Sequence, residues 1–390
     1  MVFGPLPQYL PTFFLNGHQV GYTDCFCYVG ITFQSTARNI FRSHYIAKAA
    51  KARKAGFAVF GVEAYVGVLP PKEGRMLYMS CVDPHLVSGA DVVIDVDKSA
   101  LDHLEKVQHA FLRRLLGLGP YSLRAPLFTE LGLVPIRYRR LILALRYLGY
   151  LVGLTAGHYA RAALEDSYQL FLNAGQGYWT DLVYALQQLE FPVVLPPLQS
   201  LTPAICSELG KAVYTSAMRS LDGQIDNSTR LYLLHARREP FEDEPPKKVT
   251  AVLRHYLELV VNASHRKAIT RLLLSQHPLA VERMRYKQRY HRVLVPRDER
   301  LCRFGCRSVE TVEHALFFCR GKVELIEWRE WLADAVPDQG NAIRNVGPWN
   351  ATSVLRSLIF SRVSVCQVAK VAHKVLGIFA EEPMVWPDGA

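Results

Sequence analysis

Four potential metal ligands fall within eighteen residues of the C-terminal quarter of the chain: Cys302, Cys306, His314 and Cys319, spaced C-x3-C-x7-H-x4-C in CRFGCRSVETVEHALFFC. No other stretch restricts the fold as tightly, because thiolate and imidazole ligands on one ion must converge on a tetrahedron with about 2 Å arms. The Cys302–Cys306 loop supplies two ligands from one tight turn, and Gly305 gives that turn its backbone freedom. The run Val309 to Phe318 has helical character, which puts His314 mid-helix and Cys319 at its end, both able to reach the loop. Leu316, Phe317 and Phe318 then cover the site. The expectation is a structural Zn2+ with all four positions filled by protein. The alternative is ordinary buried cysteines beside a helix histidine. Cys25-x-Cys27 has no third ligand near it in sequence and reads as structural.

The stretch ahead of this cluster is strongly basic. Residues 264 to 292 carry Arg266, Lys267, Arg271, Arg283, Arg285, Lys287, Arg289 and Arg292 against one acid, Glu282. In Arg283-Met-Arg-Tyr-Lys-Gln-Arg-Tyr-His the cations alternate with Met284, Tyr286, Gln288 and Tyr290. An extended segment of this kind presents one basic face and one stacking face, which suits a phosphate backbone and unstacked bases. The plain alternative is a solvated helix surface. Lys+Arg 46 against Asp+Glu 35 leaves the chain at +11, an excess that points to polyanions.

Elsewhere the sequence reads as a mainly α protein with a small N-terminal β-hairpin. Asn16-Gly17 between Phe13-Phe-Leu and His18-Gln-Val is a hairpin signal, and Phe26 to Phe33 reads as one strand. From about Phe41 helical spacing takes over. Leu101, Leu104, Val107, Phe111, Leu112, Leu115 and Leu116 form one apolar face, with Ser99 as N-cap and Gly117 as stop. A second helix is expected over Pro135 to Leu151. Asp91, Asp95 and Asp97 in DVVIDVD share a strand face and read as an exposed edge in preference to a metal site. Arg237 to Lys248 (containing EPFEDEPPKK) reads as a solvated linker. The longest apolar stretch, Leu141 to Tyr159, is broken by Arg146 and several glycines, so no membrane span is expected. No secretory signal is seen at the start, so an intracellular protein, nuclear or cytoplasmic, is expected.

Several of these segments together resemble the non-LTR (LINE-like) retrotransposon reverse transcriptases, with the flavour of fungal elements. Tyr28-Val-Gly resembles the strand that closes their palm. His44 and Ile46-Ala-Lys-Ala-Ala-Lys-Ala-Arg resemble the opening of the thumb, and Leu104 to Leu118, with Gln108, is similar to the helix that follows. Leu127-Phe-Thr-Glu-Leu-Gly-Leu-Val-Pro resembles a Glu-Leu-Gly-x-x-Pro turn, and the Cys302 cluster matches the terminal zinc knuckle. The resemblance implies a palm-end hairpin (1–40), a helical thumb (41–155), a helical connector with the basic segment (156–295), the knuckle (296–335) and a helical tail (336–390). It also implies RNA and DNA as partners, with the N-terminal part of the polymerase as another, and no membrane. The family's metal-holding palm aspartates have no counterpart in this sequence, which contains no Asp-Asp pair. RNA-directed DNA polymerase activity by this chain alone is therefore not expected. The rival readings are a helical protein-interaction scaffold stapled by zinc and, third, a peripheral membrane protein using the basic segment.

Overall fold

The computed structural model describes residues 1–3, 8–286 and 294–387. The protein is mainly helical, with two small antiparallel hairpins at its start. Strands β1 (Phe13–Leu15) and β2 (His18–Val20) pair Phe13 with Val20 across Asn16-Gly17. Both turn residues are left-handed, at φ 49° and 78°, the geometry that matches strand twist. Strands β3 (Cys25–Tyr28) and β4 (Ile31–Gln34) correct the single strand expected from Phe26 to Phe33. The chain reverses at Val29-Gly30, at φ 47° and 79°. A β-branched residue in that region is rare, and its Val hid the turn in an apolar run.

The helices of ten or more residues are α1 (Arg42–Gly61), α2 (Lys98–Leu115), α3 (Ile136–Val152), α4 (Tyr159–Leu172) and α5 (Tyr178–Gln187). After them come α6 (Pro203–Asp226), α7 (Ala263–Leu273), α8 (Val323–Ala335) and α9 (Val365–Glu381). The apolar residues expected on one face of α2 are all buried, and Gly117 ends it at φ 65°. Its cap lies two residues before the one expected: the Asp97 carboxylate, not Ser99, accepts from the Ser99 and Ala100 N–H groups.

The chain forms two compact units. The first comprises Met1–Ala64, Met76–Phe111 and Val134–Ser220. Its main core is built from α3 to α6, with Leu145, Leu148, Trp179, Leu182, Leu186 and Val213 at its centre. Gln108 is a buried joint within this unit: its amide nitrogen donates to the Tyr78 hydroxyl at 2.9 Å and its oxygen accepts from the Ile136 N–H at 2.9 Å. Asp95 is the reverse of an exposed edge. It lies buried and takes the Arg140 guanidinium at 2.9 and 3.0 Å, while Arg140 also donates to the Leu86 and Val93 carbonyls.

The second unit comprises Tyr65–Arg75, Leu112–Leu133 and Leu221–Ala390. Glu130, in the short helix Ala125–Leu131, is fully buried and receives Arg237 through two bonds of 2.8 and 2.7 Å and Tyr256 at 3.0 Å. Glu239 beside it accepts from Arg254, from the His255 N–H and from the His255 ring. Arg237 and Glu239 are buried and therefore contradict the solvated linker expected from Arg237 onward; the exposed residues of that stretch are Arg238 and 242–248. Within the same unit α7 packs on α9, and α8 packs on α9. Among the described residues no helix is long and apolar enough to cross a membrane.

Candidate metal centre

The cluster assembles from two local pieces of the second unit. The first is a hairpin-like loop in which Leu301 bridges Val309, and the Cys302 N–H donates to the Ser308 carbonyl at 2.8 Å. Gly305 and Arg307 turn the loop, at φ 76° and 56°, which brings Cys302 and Cys306 to one side. The second piece is a short helical run that begins at Val312, three residues later than the sequence suggests, and widens at His314–Phe318. There the Cys319 N–H donates to the His314 carbonyl, five residues back, at 2.8 Å. That wide turn brings Cys319 toward the loop cysteines.

The ligand atoms of Cys302, Cys306, His314 and Cys319 all lie within 4.8 Å of one another. Cys302 Sγ and Cys319 Sγ are 3.7 Å apart, and Cys306 Sγ and Cys319 Sγ 3.6 Å. A disulfide needs about 2.05 Å; these thiols are free. Four ligands at about 2.3 Å in a tetrahedron have edges of about 3.8 Å, close to the separations seen. Cys302, His314 and Cys319 are buried and Cys306 is half-buried. The His314 Nε2 is buried with no hydrogen-bond partner, an orphaned polar atom beside three sulfurs that a metal ion would satisfy. The Cys302 thiol is pushed up to about 12 by its hydrogen bond to Cys319 and by burial, and the same bond holds Cys319 below its usual range. The residues therefore fit a metal ion that takes three sulfurs and one nitrogen, with no open coordination position for chemistry.

The surroundings fix the two pieces. Arg329 donates to the Leu316 and Cys319 carbonyls at 3.2 and 2.9 Å. Glu310 is wholly buried, pairs with Arg303 at 2.7 Å and accepts from the Ala280 N–H. Leu316 and Phe317 are buried as expected, while Phe318 is only half-buried.

The basic stretch is less uniform than its sequence. Arg266 is 7% exposed and donates to the Val260 and Val261 carbonyls. Arg271 donates to the Gly117 carbonyl at 3.1 Å, and Arg285 pairs with the buried Glu282 at 2.9 Å. Lys267 and Arg283 are exposed. Tyr286 is 48% exposed, with Arg230 5.8 Å above its ring. Ala280–Arg283 is a helical turn and Met284 is wholly buried, so these residues do not sort onto two faces of an extended strand. Lys287, Arg289, Tyr290 and Arg292 lie outside the described residues.

Charge missed as a site lies on α1. Arg42, Lys51, Arg53 and Lys54 are exposed and Lys48 is half-buried. No acid occurs from residue 42 to residue 62. Partial burial and then the charge of Lys51 hold the Lys48 ammonium below its usual range. The missed signal was that absence of acids within a long helix. No protein-family model, no curated protein and no solved structure matches the chain, so the functional assignment rests on these residues.

Proposed function

We propose that this protein binds nucleic acid, in keeping with its resemblance to the non-LTR reverse transcriptases, and that the Cys302 cluster holds a structural zinc ion. The observation that carries the nucleic-acid reading is α1. Its cations, spread over a helix of 20 residues, or about 30 Å, have no acid on the same helix to neutralise them. A polyanion with closely spaced phosphates is the natural counter-charge to such a rod. Zinc is the ion of choice for a closed set of three thiolates and one imidazole. The bound metal would tie the Cys302–Cys306 loop to His314 and Cys319 without taking part in a reaction.

The test is salt dependence. Binding of the intact chain to an RNA–DNA duplex, followed by fluorescence anisotropy, should weaken linearly in log salt, with a slope near −0.9 per neutralised phosphate. The triple variant Lys51→Gln, Arg53→Gln, Lys54→Gln should flatten that slope by about two to three units and weaken all sequences alike. An interaction scaffold expects neither effect. Unchanged slope and affinity would overturn the assignment of α1 as the binding surface.

A further inference from the structure

In the second unit, α7, α8 and α9 bring six side chains of related chemistry to one place. The Lys370 Nζ lies 4.2 Å from the centre of the Trp331 ring and 5.7 Å from that of Trp328. Lys374 lies 5.8 Å from the Trp328 ring. The two indoles are 5.6 Å apart, edge to face, and both are partly exposed. Beside them the His265 and His373 rings are 5.3 Å apart. Neither lysine makes an ion pair with a carboxylate among the described residues.

A patch of this kind is costly if its only role is to join helices. Burial lowers the pKa of His265, and His373, Lys370 and Lys374 each lower it further, with no carboxylate acting the other way. A helix clamp would be served by one acid; four basic groups without one leave repulsion that an external anion relieves. The indoles add flat apolar surface at the same spot, on which unstacked bases can lie. Paired bases in a duplex cannot reach such a surface, whereas single-stranded bases can.

We infer that His265, Trp328, Trp331, Lys370, His373 and Lys374 form a site for single-stranded nucleic acid, with phosphate on the cations and a base on the indoles. This rests on the nucleic-acid reading above but concerns a different surface. Binding of an anion favours the charged form of His265, which burial, His373, Lys370 and Lys374 disfavour in the free protein, so affinity should rise as pH falls from 7.5 to 6.0. His265 contributes up to about tenfold for each pKa unit by which the anion raises it.

The experiment compares oligo(dT) with duplex of the same length on the full metal-loaded chain, read by tryptophan fluorescence and anisotropy. Oligo(dT) should quench the indoles, and Trp328→Phe with Trp331→Phe should abolish the quench. Lys370→Gln with Lys374→Gln should weaken oligo(dT) roughly tenfold, since two phosphates then go unneutralised, while sparing duplex. Lys370→Arg with Lys374→Arg should restore it. His265→Gln should flatten the pH dependence. Unchanged metal content shows that each variant keeps its fold. If oligo(dT) binds the lysine-to-glutamine variant as it binds the parent, while the α1 variant weakens it, this site is wrong and the nucleic-acid reading stands. If no nucleic acid binds, both fall. Binding confined to anionic vesicles or to polyglutamate would equally overturn the proposal.

Discussion

Glu239→Gln separates a buried network from a solvated linker. Glu239 is 2% exposed; one carboxylate oxygen takes the His255 N–H at 2.7 Å and its ring nitrogen at 2.9 Å, and the other takes Arg254 at 3.1 Å. Burial alone would raise its pKa. The hydrogen bond from His255 and the charge of Arg254 outweigh this and bring it down to about 2 from 4.5. At roughly 1.4 kcal/mol per pKa unit that is about 3 kcal/mol at neutral pH. An amide keeps the volume but removes the charge and turns an N–H toward one of the donors, so the loss should be of that size or somewhat larger. The carboxyl is depressed in the folded state, so its contribution is complete above pH 4.5 and is lost as pH falls from there toward 2. By pH 4 the gap between parent and variant should have narrowed by about 1 kcal/mol. Urea unfolding read by pulsed hydrogen exchange of peptides from α7 reports the second unit without the first. A difference within about 0.5 kcal/mol at pH 7 is what a surface substitution gives, and it would refute the network. A gap of equal size at pH 4 and pH 7 would show that shape, not charge, was lost.

Gly132→Ala should destabilise the second unit by about 2–4 kcal/mol in the same assay, because Gly132 sits at φ 63° and an added Cβ would come within 2.8 Å of the Leu253 nitrogen. The purified protein should carry about one zinc per chain by elemental analysis, and Cys306→Ser or His314→Ala should lose it; occupancy should fall as pH drops, since protons compete for the thiolates. Metal content unaffected by both substitutions would show that the cluster is not a site. Given template, primer, deoxynucleotides and Mg2+, the chain should extend nothing, because it has no Asp-Asp pair and, among the described residues, the Cys302 cluster is the one group of three or more potential metal ligands; extension that survives repurification would refute this.

What could be read from the sequence was local. The metal ligands, the Asn16-Gly17 turn and the helices α2 and α3 each depend on residues within about twenty positions, where spacing carries the geometry. Pro135 stands at the start of α3 as its N-cap. What escaped depends on partners far along the chain. Asp95 is buried because Arg140, 45 positions later, reaches it. Glu239 is buried although its neighbours are the acids and prolines of an exposed loop. Arg266 and Arg271 counted as basic surface until carbonyls claimed them. Composition reports how many charges a segment has, not which are already satisfied.

That distinction orders the cations by type. Every wholly buried cation among the described residues is an arginine: Arg140, Arg237, Arg254, Arg266 and Arg300. A guanidinium is weakly hydrated and offers five donors in a plane, so it can leave water if carbonyls and carboxylates meet it on several sides. Arg300 does so through the Val281 and Val295 carbonyls. An ammonium is compact and strongly hydrated, and its stem lets the charge stay outside while the methylenes pack. The lysines accordingly remain available: Lys51 and Lys54 on α1, Lys267 on α7, and Lys370 and Lys374 over the indoles. An arginine-rich run in this sequence is thus poor evidence for a polyanion surface, whereas an acid-free lysine pattern on one helix is better evidence. Lysine-to-glutamine variants should therefore move binding with little change in stability. Arg266→Gln should do the opposite, leaving the Val260 and Val261 carbonyls short of a donor and costing about 1–3 kcal/mol while affinity for nucleic acid holds. If Arg266→Gln instead weakens binding at unchanged stability, burial has been misread as commitment and the original basic segment regains its claim.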